Sequence, residues 1–419
     1  MTNQTPGATA VGVCAIMGTR PRTLVQGHVW PRSRRIAADG LLRSMAGQLR
    51  QVQDETDQDL DQCCQNPGTI KLSWIKTMNT EAGRYMAAEI DEAPAVFART
   101  TTSAVSAAGR ASLAGLNIAG LRAFYTIARG SSDAAANILS YEFMRETGKP
   151  MTSLPPSVFS LGGGVDMAGT LSVVVSQSGA SEDLVRSAKG AKASGGVVIG
   201  LVNQQGSAVE AAADLTLPIG AGPELAVPAT KTVIGSIAAG MALLSEISPA
   251  YAPRAASSAA VIGGLAGQTL PETRALVAAL LRARHVYVIG RDTGFGAAQE
   301  LALKLKETCA LHAEAYSSSE VLHGPLQLVT NPLLVLILDT GQADLQASLD
   351  TAESRFRDAG GTVYRIKPSD IGIGITSLTP AASAALLLYL TYPLVLATAR
   401  ALGHDPDRPA TLSKVTQTT

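Results

Sequence analysis

The sequence predicts an α/β fold built from two tandem doubly wound parallel-sheet units. Short apolar runs rich in β-branched residues, such as LSVVVS at 171–176, alternate with Ala-rich segments that have a helical period. The runs are apolar on both faces, which is typical of parallel strands covered by helices on both sides. The composition is 46% hydrophobic but only 4% aromatic, which suits helices packed closely on a sheet.

An internal repeat divides the chain. YTIARGS at 125–131 matches YVIGRDT at 287–293, and LSVVVSQSG at 171–179 matches LLVLILDTG at 333–341, both 162 positions later. Two matches at one offset indicate two copies of one unit. We expect the copies to occupy residues 78–247 and 269–400, a Pro/Ala/Ser/Gly-rich linker to occupy 248–268, and a tail to occupy 401–419.

The first 77 residues differ from the rest of the chain. They hold charge clusters and a Gln/Asp-rich stretch without alternating strands and helices, so we expect a weakly ordered extension, with an amphipathic helix near 40–60 as one alternative. Met78 is a candidate start of the functional protein. If it is the start, truncation before Met78 leaves activity intact.

Charge and cysteine usage narrow the function classes. Lys plus Arg equals Asp plus Glu, 34 of each, so no global field attracts nucleic acid or an anionic membrane. The cysteines have no zinc-binding spacing, and the polar N-terminus has no secretory signature. We therefore expect a cytoplasmic protein without a metal. The cysteines are Cys14, Cys63, Cys64 and Cys309.

One apolar segment, residues 381–399, is nearly long enough to span a bilayer. Its internal Pro393 and its many small residues favour a different interpretation, a buried helix pair that is broken at the proline. We expect no membrane partner.

A cluster of polar side chains follows the buried strand that ends at Val175, in the stretch SQSGASED. Gly179 permits a tight turn, and Ser181 is placed to cap a helix that starts near Glu182. A helix N-terminus with hydroxyls around it can bind a phosphate, but the same residues also form caps and turns that bind nothing. A second cluster, ARGSSDAA at 128–135, has the same form one strand earlier, with Ser131 and Ser132 ahead of a predicted helix, and it favours a sugar-phosphate pocket.

The second copy keeps the strands but has LDTG at 338–341 in place of the serines. It carries a carboxylate- and histidine-rich segment at 302–327 instead. Such charges usually form the solvated face of a helix, but they also suggest that one copy binds the substrate while the other supplies acid and base. The charged residues are Lys304, Lys306, Glu307, His312, Glu314, Glu320 and His323.

The motifs RGSS, SQSGASEDL, GPELAVPATKT, ALKLKETCALHAEAYSSSEVLHGP and DPDRPATLSKVT follow one another from about residue 80 to the C-terminus. In this pattern the chain resembles the sugar isomerase (SIS) domain family, whose units are flavodoxin-like. It resembles the isomerase half of glucosamine-6-phosphate synthase (glutamine-fructose-6-phosphate aminotransferase) and, more closely, the SIS-type glucosamine-6-phosphate deaminases. Cys14 is not N-terminal, and the segment before the first unit is too short for a glutaminase domain, so glutamine-dependent synthesis is not expected.

The resemblance implies a role for each matching residue. Glu307 would carry the proton between carbons 1 and 2 of the sugar, His323 would assist ring opening from the neighbouring subunit of a homodimer, and Lys414 would belong to a tail that closes over the substrate. The phosphate and hydroxyls would be bound in a pocket formed by Ser131, Ser132, Ser176, Gln177, Ser178, Ser181, Val227 and Lys304.

The resemblance also implies an activity, the isomerising deamination of an amino-sugar phosphate, most simply glucosamine 6-phosphate to fructose 6-phosphate and ammonia. A carboxylate can perform the proton transfers without a metal or redox cofactor. Pro228 and Ala229 depart from the synthase, which has a serine at the second position, and this departure fits the deaminases. The alternatives are a ketose/aldose isomerase, a fructosamine-phosphate deglycase and a non-catalytic sugar-phosphate regulator. Retention of Glu307, His323 and Lys414 argues against the regulator.

Overall fold

The computed structural model describes residues 82–414, except for the side chain of Ile375. The predictions for residues 1–77, including the helix near 40–60, lie outside this range. In chain order the described helices are α1 Arg84–Ser103, α2 Ala107–Gly115, α3 Gly130–Thr147, α4 Ser157–Ser160, α5 Glu182–Ala193, α6 Ala208–Ala212, α7 Lys231–Ile247, α8 Ala252–Gly263, α9 Thr273–Arg282, α10 Thr293–Cys309, α11 Gln346–Asp358 and α12 Pro380–Ala401.

Two fully parallel sheets confirm the predicted fold class. The first has the strand order β2-β1-β3-β4-β5 and the second has the order β7-β6-β8-β9, so both follow the flavodoxin-like order in which the first two strands exchange places. The strands are β1 Ala123–Ile127, β2 Met151–Ser153, β3 Thr170–Ser176, β4 Val197–Val202, β5 Leu215–Pro218, β6 His285–Gly290, β7 Ala313–Ser317, β8 Leu333–Leu338 and β9 Thr362–Ile366.

Backbone geometry at corresponding turns supports the repeat. Gly130 and Asp292, which are 162 positions apart, both have a left-handed φ, of 53° and 55°. Gly179 and Gly341 form the second such pair, with φ of 61° and 78°. The two copies therefore share a positive φ at the same position of both turns, although their side chains there differ.

The apolar segment 381–399 lies in α12, a single helix that continues through Pro393, so the predicted break into a helix pair is wrong. Proline has no backbone N–H, so in this helix only the carbonyl of Tyr389 loses its hydrogen-bond donor. Packing on both sides compensates, because α12 contacts α1, α3, α7, α8, α9 and α10. Among the described helices it is the one long and apolar enough to cross a membrane, and 89% of that apolar window is buried.

The predicted linker, residues 248–268, contains a helix. Helix α8 packs on α1 and α7, and Pro253 lies in its first turn, where a missing N–H costs nothing. Its Ala-rich sequence has a high helix propensity and permits close approach. Just before it, the hydroxyl of Tyr251 donates to Glu142 of α3 at 2.7 Å, so the connection is fixed to the first unit.

The residues after α12 return to the start of α1. Asp405 accepts a hydrogen bond from the backbone N–H of Gly83 at 2.9 Å, and Asp407 accepts from Tyr85 and Met86 at 2.9 and 2.8 Å. Two carboxylates thus satisfy the free N–H groups at the N-terminus of α1. This contact holds the tail on the first unit and directs Lys414 towards the edge where the strands of the first sheet end.

Candidate functional site

A cavity of about 340 Å³ opens at the carboxyl ends of the strands of the first sheet, where ligands bind in open α/β sheets. We call it the site cavity. It contains every predicted binding residue and two of the three predicted catalytic residues. It is lined by Arg129, Gly130, Ser131, Ser132, Ser176, Gln177, Ser178, Ser181, Leu184, Val227, Ala229, Lys304, Glu307, Leu412, Ser413 and Lys414.

The turn between β3 and α5 forms one wall of the site cavity. The hydroxyl of Ser176 accepts from the N–H of Gly179 at 3.0 Å, and that of Ser178 accepts from Ala180 at 3.3 Å. Gly179 is required because its φ is +61° and a Cβ there would lie 2.3 Å from the hydroxyl of Ser207. Ser181 is the N-cap residue, but its side chain makes no capping hydrogen bond, contrary to the predicted cap.

The turn between β1 and α3 forms the adjacent wall. Helix α3 begins at Gly130, so Ser131 and Ser132 lie in its first turn rather than ahead of it. The N-terminal ends of α3 and α5 therefore both face the site cavity, each with hydroxyl groups around it. Free backbone N–H groups and the helix dipole make such a place favourable for an anion.

Helix α10 of the second unit brings a buried ion cluster to the same cavity. The ammonium of Lys304, which is fully buried, donates to the hydroxyl of Ser131 at 2.9 Å, forms an ion pair with Glu307, and lies 3.5 Å from Glu300. The hydroxyl of Tyr392 donates to Glu300 at 3.2 Å. Glu307 keeps a quarter of its side chain exposed, so a ligand can reach it.

Burial and neighbouring charges shift the pKa values of this cluster in opposite directions. Burial raises the pKa of Glu300 to about 7, and the attraction of Lys304 only partly offsets it. Burial alone lowers the pKa of Lys304, but the carboxylates of Glu300 and Glu307 outweigh it and raise that pKa. Lys304 therefore stays charged, while one oxygen of Glu300 lacks a hydrogen-bond partner. Glu300 was not predicted from sequence, and no local pattern distinguishes it from other helix carboxylates.

The tail and the segment 224–232, a loop that leads into the first turn of α7, close the third side. Lys414 donates to the carbonyl of Ala226 and lies 3.2 Å from the buried carboxylate of Glu224. Glu224 also accepts from the hydroxyl and N–H of Thr232. This loop places Val227 and the methyl group of Ala229 on the cavity wall. The side chains of Val227 and Ala229 offer no hydrogen-bonding group to the cavity.

Glu89 of α1 supports the loop from the other side. Its carboxylate accepts from the backbone N–H groups of Leu225 and Ala226. Burial raises the pKa of Glu89 to about 7, and the hydrogen bond from the backbone N–H of Leu225 partly offsets this rise. Sequence reasoning missed Glu89 and Glu224 because their partners lie more than a hundred residues away or in a loop without periodicity.

His323 does not line the site cavity of its own chain. It is exposed at the end of a short 3₁₀ helix, Glu320–His323, which follows β7. The segment 302–327 is also not one helix, because α10 ends at Cys309 and β7 begins at Ala313. The action of His323 in a neighbouring subunit stays a prediction.

The second unit fills its equivalent turn with its own carboxylate. Asp339, at the position of Gln177, accepts from the N–H of Gly341 at 2.7 Å and from Gln346 at 3.0 Å, and it pairs with Arg365 at 2.9 Å. It is buried. The N–H of Gly341 is therefore bound by a carboxylate, whereas the equivalent N–H of the first unit, that of Gly179, is bound by the neutral hydroxyl of Ser176. In residues 82–414 no group of three or more His, Cys, Asp or Glu side chains is arranged to hold a metal ion.

Comparison with known proteins assigns the two units to a family. The SIS domain model matches residues 118–246 and 279–391, which is more than half of the chain and falls once on each sheet. The chain belongs to the SIS domain family. As a tandem SIS protein it is 32% identical over 375 residues to the glutamine-fructose-6-phosphate aminotransferase (isomerizing) of Aeropyrum pernix, and 31% identical over 382 residues to that of Symbiobacterium thermophilum. The matches cover 82% and 83% of this chain but only 59% and 61% of those relatives.

Solved structures with a similar fold cover most of the chain. A candidate phosphosugar isomerase from Silicibacter pomeroyi is 32% identical, with a TM-score of 0.68, and the match covers 77% of this chain and 99% of that one. The glucosamine-6-phosphate deaminase of Thermotoga maritima, at 20% identity and a TM-score of 0.62, shares the fold, with 80% of this chain and 100% of that one covered.

Proposed function

We propose that this SIS protein is an isomerising amino-sugar-phosphate deaminase that converts glucosamine 6-phosphate and water into fructose 6-phosphate and ammonia. One observation carries the proposal. Serine hydroxyls beside two helix N-termini line the same cavity as a partly exposed carboxylate, Glu307, which is held by the ammonium of Lys304. The similarity to isomerising aminotransferases supports the general chemistry.

Phosphate binding comes first in the proposed mechanism. The phosphate lies among the hydroxyls of Ser131, Ser176 and Ser178, where neutral donors and two helix N-termini surround it. The carbon chain of the open sugar then extends towards α10. Remote binding of this kind fixes the reacting carbons beside the base.

Proton transfer by Glu307 follows. Its carboxylate removes the proton from carbon 2 of the open-chain aldosamine, a double bond forms between carbons 1 and 2, and the carbonyl oxygen takes a proton from water, which gives an enolamine. The protonated Glu307 returns its proton to carbon 1, the nitrogen lone pair forms a double bond to carbon 2, and the nitrogen releases a proton to water, so carbon 2 becomes an imine. Water adds to this imine and ammonia leaves, which yields fructose 6-phosphate. The ion pair with Lys304 keeps the carboxylate oriented for both transfers.

Ring opening and closure of the site complete the proposal. We assign ring opening to His323 of a second copy of the chain in a homodimer, because its exposed position leaves it outside its own cavity. Lys414 covers the substrate as part of the tail, which is already docked on Glu224 and Ala226.

A ketose/aldose isomerase of phosphosugars is the second candidate. The similarity to the Silicibacter pomeroyi protein favours it, and the same carboxylate proton shuttle would serve. An isomerase would interconvert the sugar phosphates without releasing nitrogen.

Ammonia release separates the candidates. Purified protein is given glucosamine 6-phosphate, with galactosamine 6-phosphate and N-acetylglucosamine 6-phosphate alongside. Ammonia and fructose 6-phosphate in equal amounts are expected from the first substrate. Absence of ammonia from all three, with sugar phosphate still bound, would reject the deaminase and favour the isomerase.

A further inference from the structure

Arg129 stands between the two helix N-termini of the site cavity and has no place in the proposed chemistry. It is the N-cap residue of α3, its extended backbone follows β1, and its guanidinium reaches Asp183 in the first turn of α5. The Nε of Arg129 donates to Asp183 at 2.8 Å. We propose that Arg129 binds the phosphate of the substrate and thereby makes the site selective for a charged sugar phosphate over the neutral sugar.

The other cations of the site cavity are committed to carboxylates. Lys304 lies between Glu300 and Glu307, and Lys414 lies against Glu224. Arg129 uses only Nε for Asp183, and within residues 82–414 its two terminal NH₂ groups have no hydrogen-bond acceptor. Four N–H donors thus remain on a positive group that lines the cavity.

The geometry of the anchor fixes where these donors lie. The carboxylate of Asp183 is fully buried, whereas the side chain of Arg129 is 52% exposed. An arginine that is held at Nε by a buried carboxylate keeps its guanidinium plane oriented, so less side-chain entropy is lost when its outer edge binds an anion. Ser131 and Ser132, which follow Arg129 in the chain, line the same cavity.

Electrostatics gives the reason for a cation at this place. The serine hydroxyls are neutral, and a sugar phosphate carries between one and two negative charges near pH 7. Bonds from an arginine to phosphate are shorter and stronger than those between neutral groups. A guanidinium beside the hydroxyls therefore favours the phosphorylated sugar over the neutral sugar. Neutral hydroxyls alone discriminate only weakly between a bound phosphate and the water that replaces it.

A purely structural role is the competing explanation, because the ion pair also ties α3 to α5. The variants Arg129→Gln and Arg129→Lys separate the two roles, since lysine keeps the charge without the Nε contact. Arg186→Gln is a matched control. Arg186 is equally exposed, at 52%, and also pairs with a carboxylate of α5, Glu182, but it does not line the site cavity.

Binding is measured by calorimetry with fructose 6-phosphate and with inorganic phosphate, so the result does not depend on turnover. In Arg129→Gln we expect both affinities to fall about tenfold or more, with a weaker dependence on NaCl concentration than in the wild type. Arg129→Lys should lose less, and Arg186→Gln should match the wild type. The melting temperature of each variant shows whether it is folded.

The outcomes distinguish this inference from the proposed function on which it rests. Wild-type affinity for phosphate in a folded Arg129→Gln protein would overturn the role of Arg129, whatever the enzyme catalyses. Equal losses in Arg129→Gln and Arg186→Gln would also overturn it. A wild-type protein that binds fructose 6-phosphate and releases no ammonia would reject the deaminase, while the comparison of the variants still decides about Arg129.

Discussion

The ammonium of Lys304 lies 2.9 Å from the hydroxyl of Ser131, and the two residues are 173 positions apart. Lys304 belongs to the second SIS unit and Ser131 to the first. This hydrogen bond joins the buried ion cluster of one copy to the serine-containing turn of the other. The division of labour between the two copies stays a prediction.

Replacement of Glu307 by glutamine should abolish turnover and preserve substrate binding. The amide keeps the size of the side chain but cannot accept the proton from carbon 2. We expect kcat to fall by about a thousandfold or more, with an unchanged affinity for fructose 6-phosphate, measured by ammonia release and calorimetry. A variant with near wild-type rate would remove Glu307 as the proton shuttle.

Replacement of Lys304 by methionine should destabilise the protein. The change leaves the buried carboxylate of Glu300 and the partly exposed carboxylate of Glu307 without their counter-ion. Loss of a partner from a buried ion pair typically costs about 3–5 kcal/mol. The free energy of unfolding in urea measures the effect. Lys192→Met is the control, because its ion pair with Asp214 is partly exposed and such pairs contribute about 1 kcal/mol or less. Similar losses in both variants would contradict the buried-cluster interpretation.

Replacement of Gly179 by alanine should damage the anion site. The φ of +61° is strained for alanine, and its Cβ would collide with Ser207. Gly206→Ala is a useful comparison, since it has a similar φ of +69° but open space around the new Cβ. We expect both variants to lose stability and only Gly179→Ala to lose affinity for inorganic phosphate. Equal phosphate affinities in the two variants would show that the close approach at Gly179 does not shape the site.

Glu142 should make stability depend on pH. Burial raises its pKa from the ordinary 4.5 to about 7, although the hydrogen bond from Tyr251 lowers it. The folded protein therefore holds this proton more tightly than the unfolded chain. The resulting stabilisation is complete below about pH 4.5 and is lost as the pH rises through about 7.

Glu142→Gln removes this titration while its amide oxygen still accepts a hydrogen bond from Tyr251 or from the N–H of Ala381. A shift of this size corresponds to about 3 kcal/mol at most. The free energy of unfolding of the variant, relative to the wild type, should rise by about 1–3 kcal/mol between acidic and mildly alkaline solution. Parallel pH profiles for the two proteins would show that Glu142 does not titrate in this range.

Local sequence patterns were sufficient for the fold and for most of the cavity wall. The strands are apolar on both faces. Each serine- and glycine-containing turn that follows a strand lies within about ten consecutive residues of the sequence. The positions of Ser131, Ser176 and Ser178 at the sheet edge therefore follow from the amino-acid sequence. Parallel strands end at the same edge, which brings separate turns together.

The features that sequence reasoning missed depend on distant partners. Glu224 accepts a hydrogen bond from Lys414, which is 190 positions away in the sequence. Glu300 accepts one from Tyr392, which is 92 positions away. Pro393 was expected to break a helix because the local rule ignores packing. Packing against the surrounding helices keeps α12 continuous, because the helix is buried on both sides of the proline. Similarly, Ala252–Gly263 forms a helix because α1 and α7 offer it a surface.

The contact between Asp407 and the start of α1 has a consequence for how the protein is made. The backbone N–H of Tyr85 and its acceptor are separated by 322 positions. At roughly 5–20 residues per second, a ribosome would need about 15–60 s to travel that distance. Helix α1 is therefore synthesised long before the carboxylates that complete its first turn. Lys414 follows Asp407 by only a few residues, so a nascent chain acquires this side of its site cavity well after the serine-containing turns on the other sides.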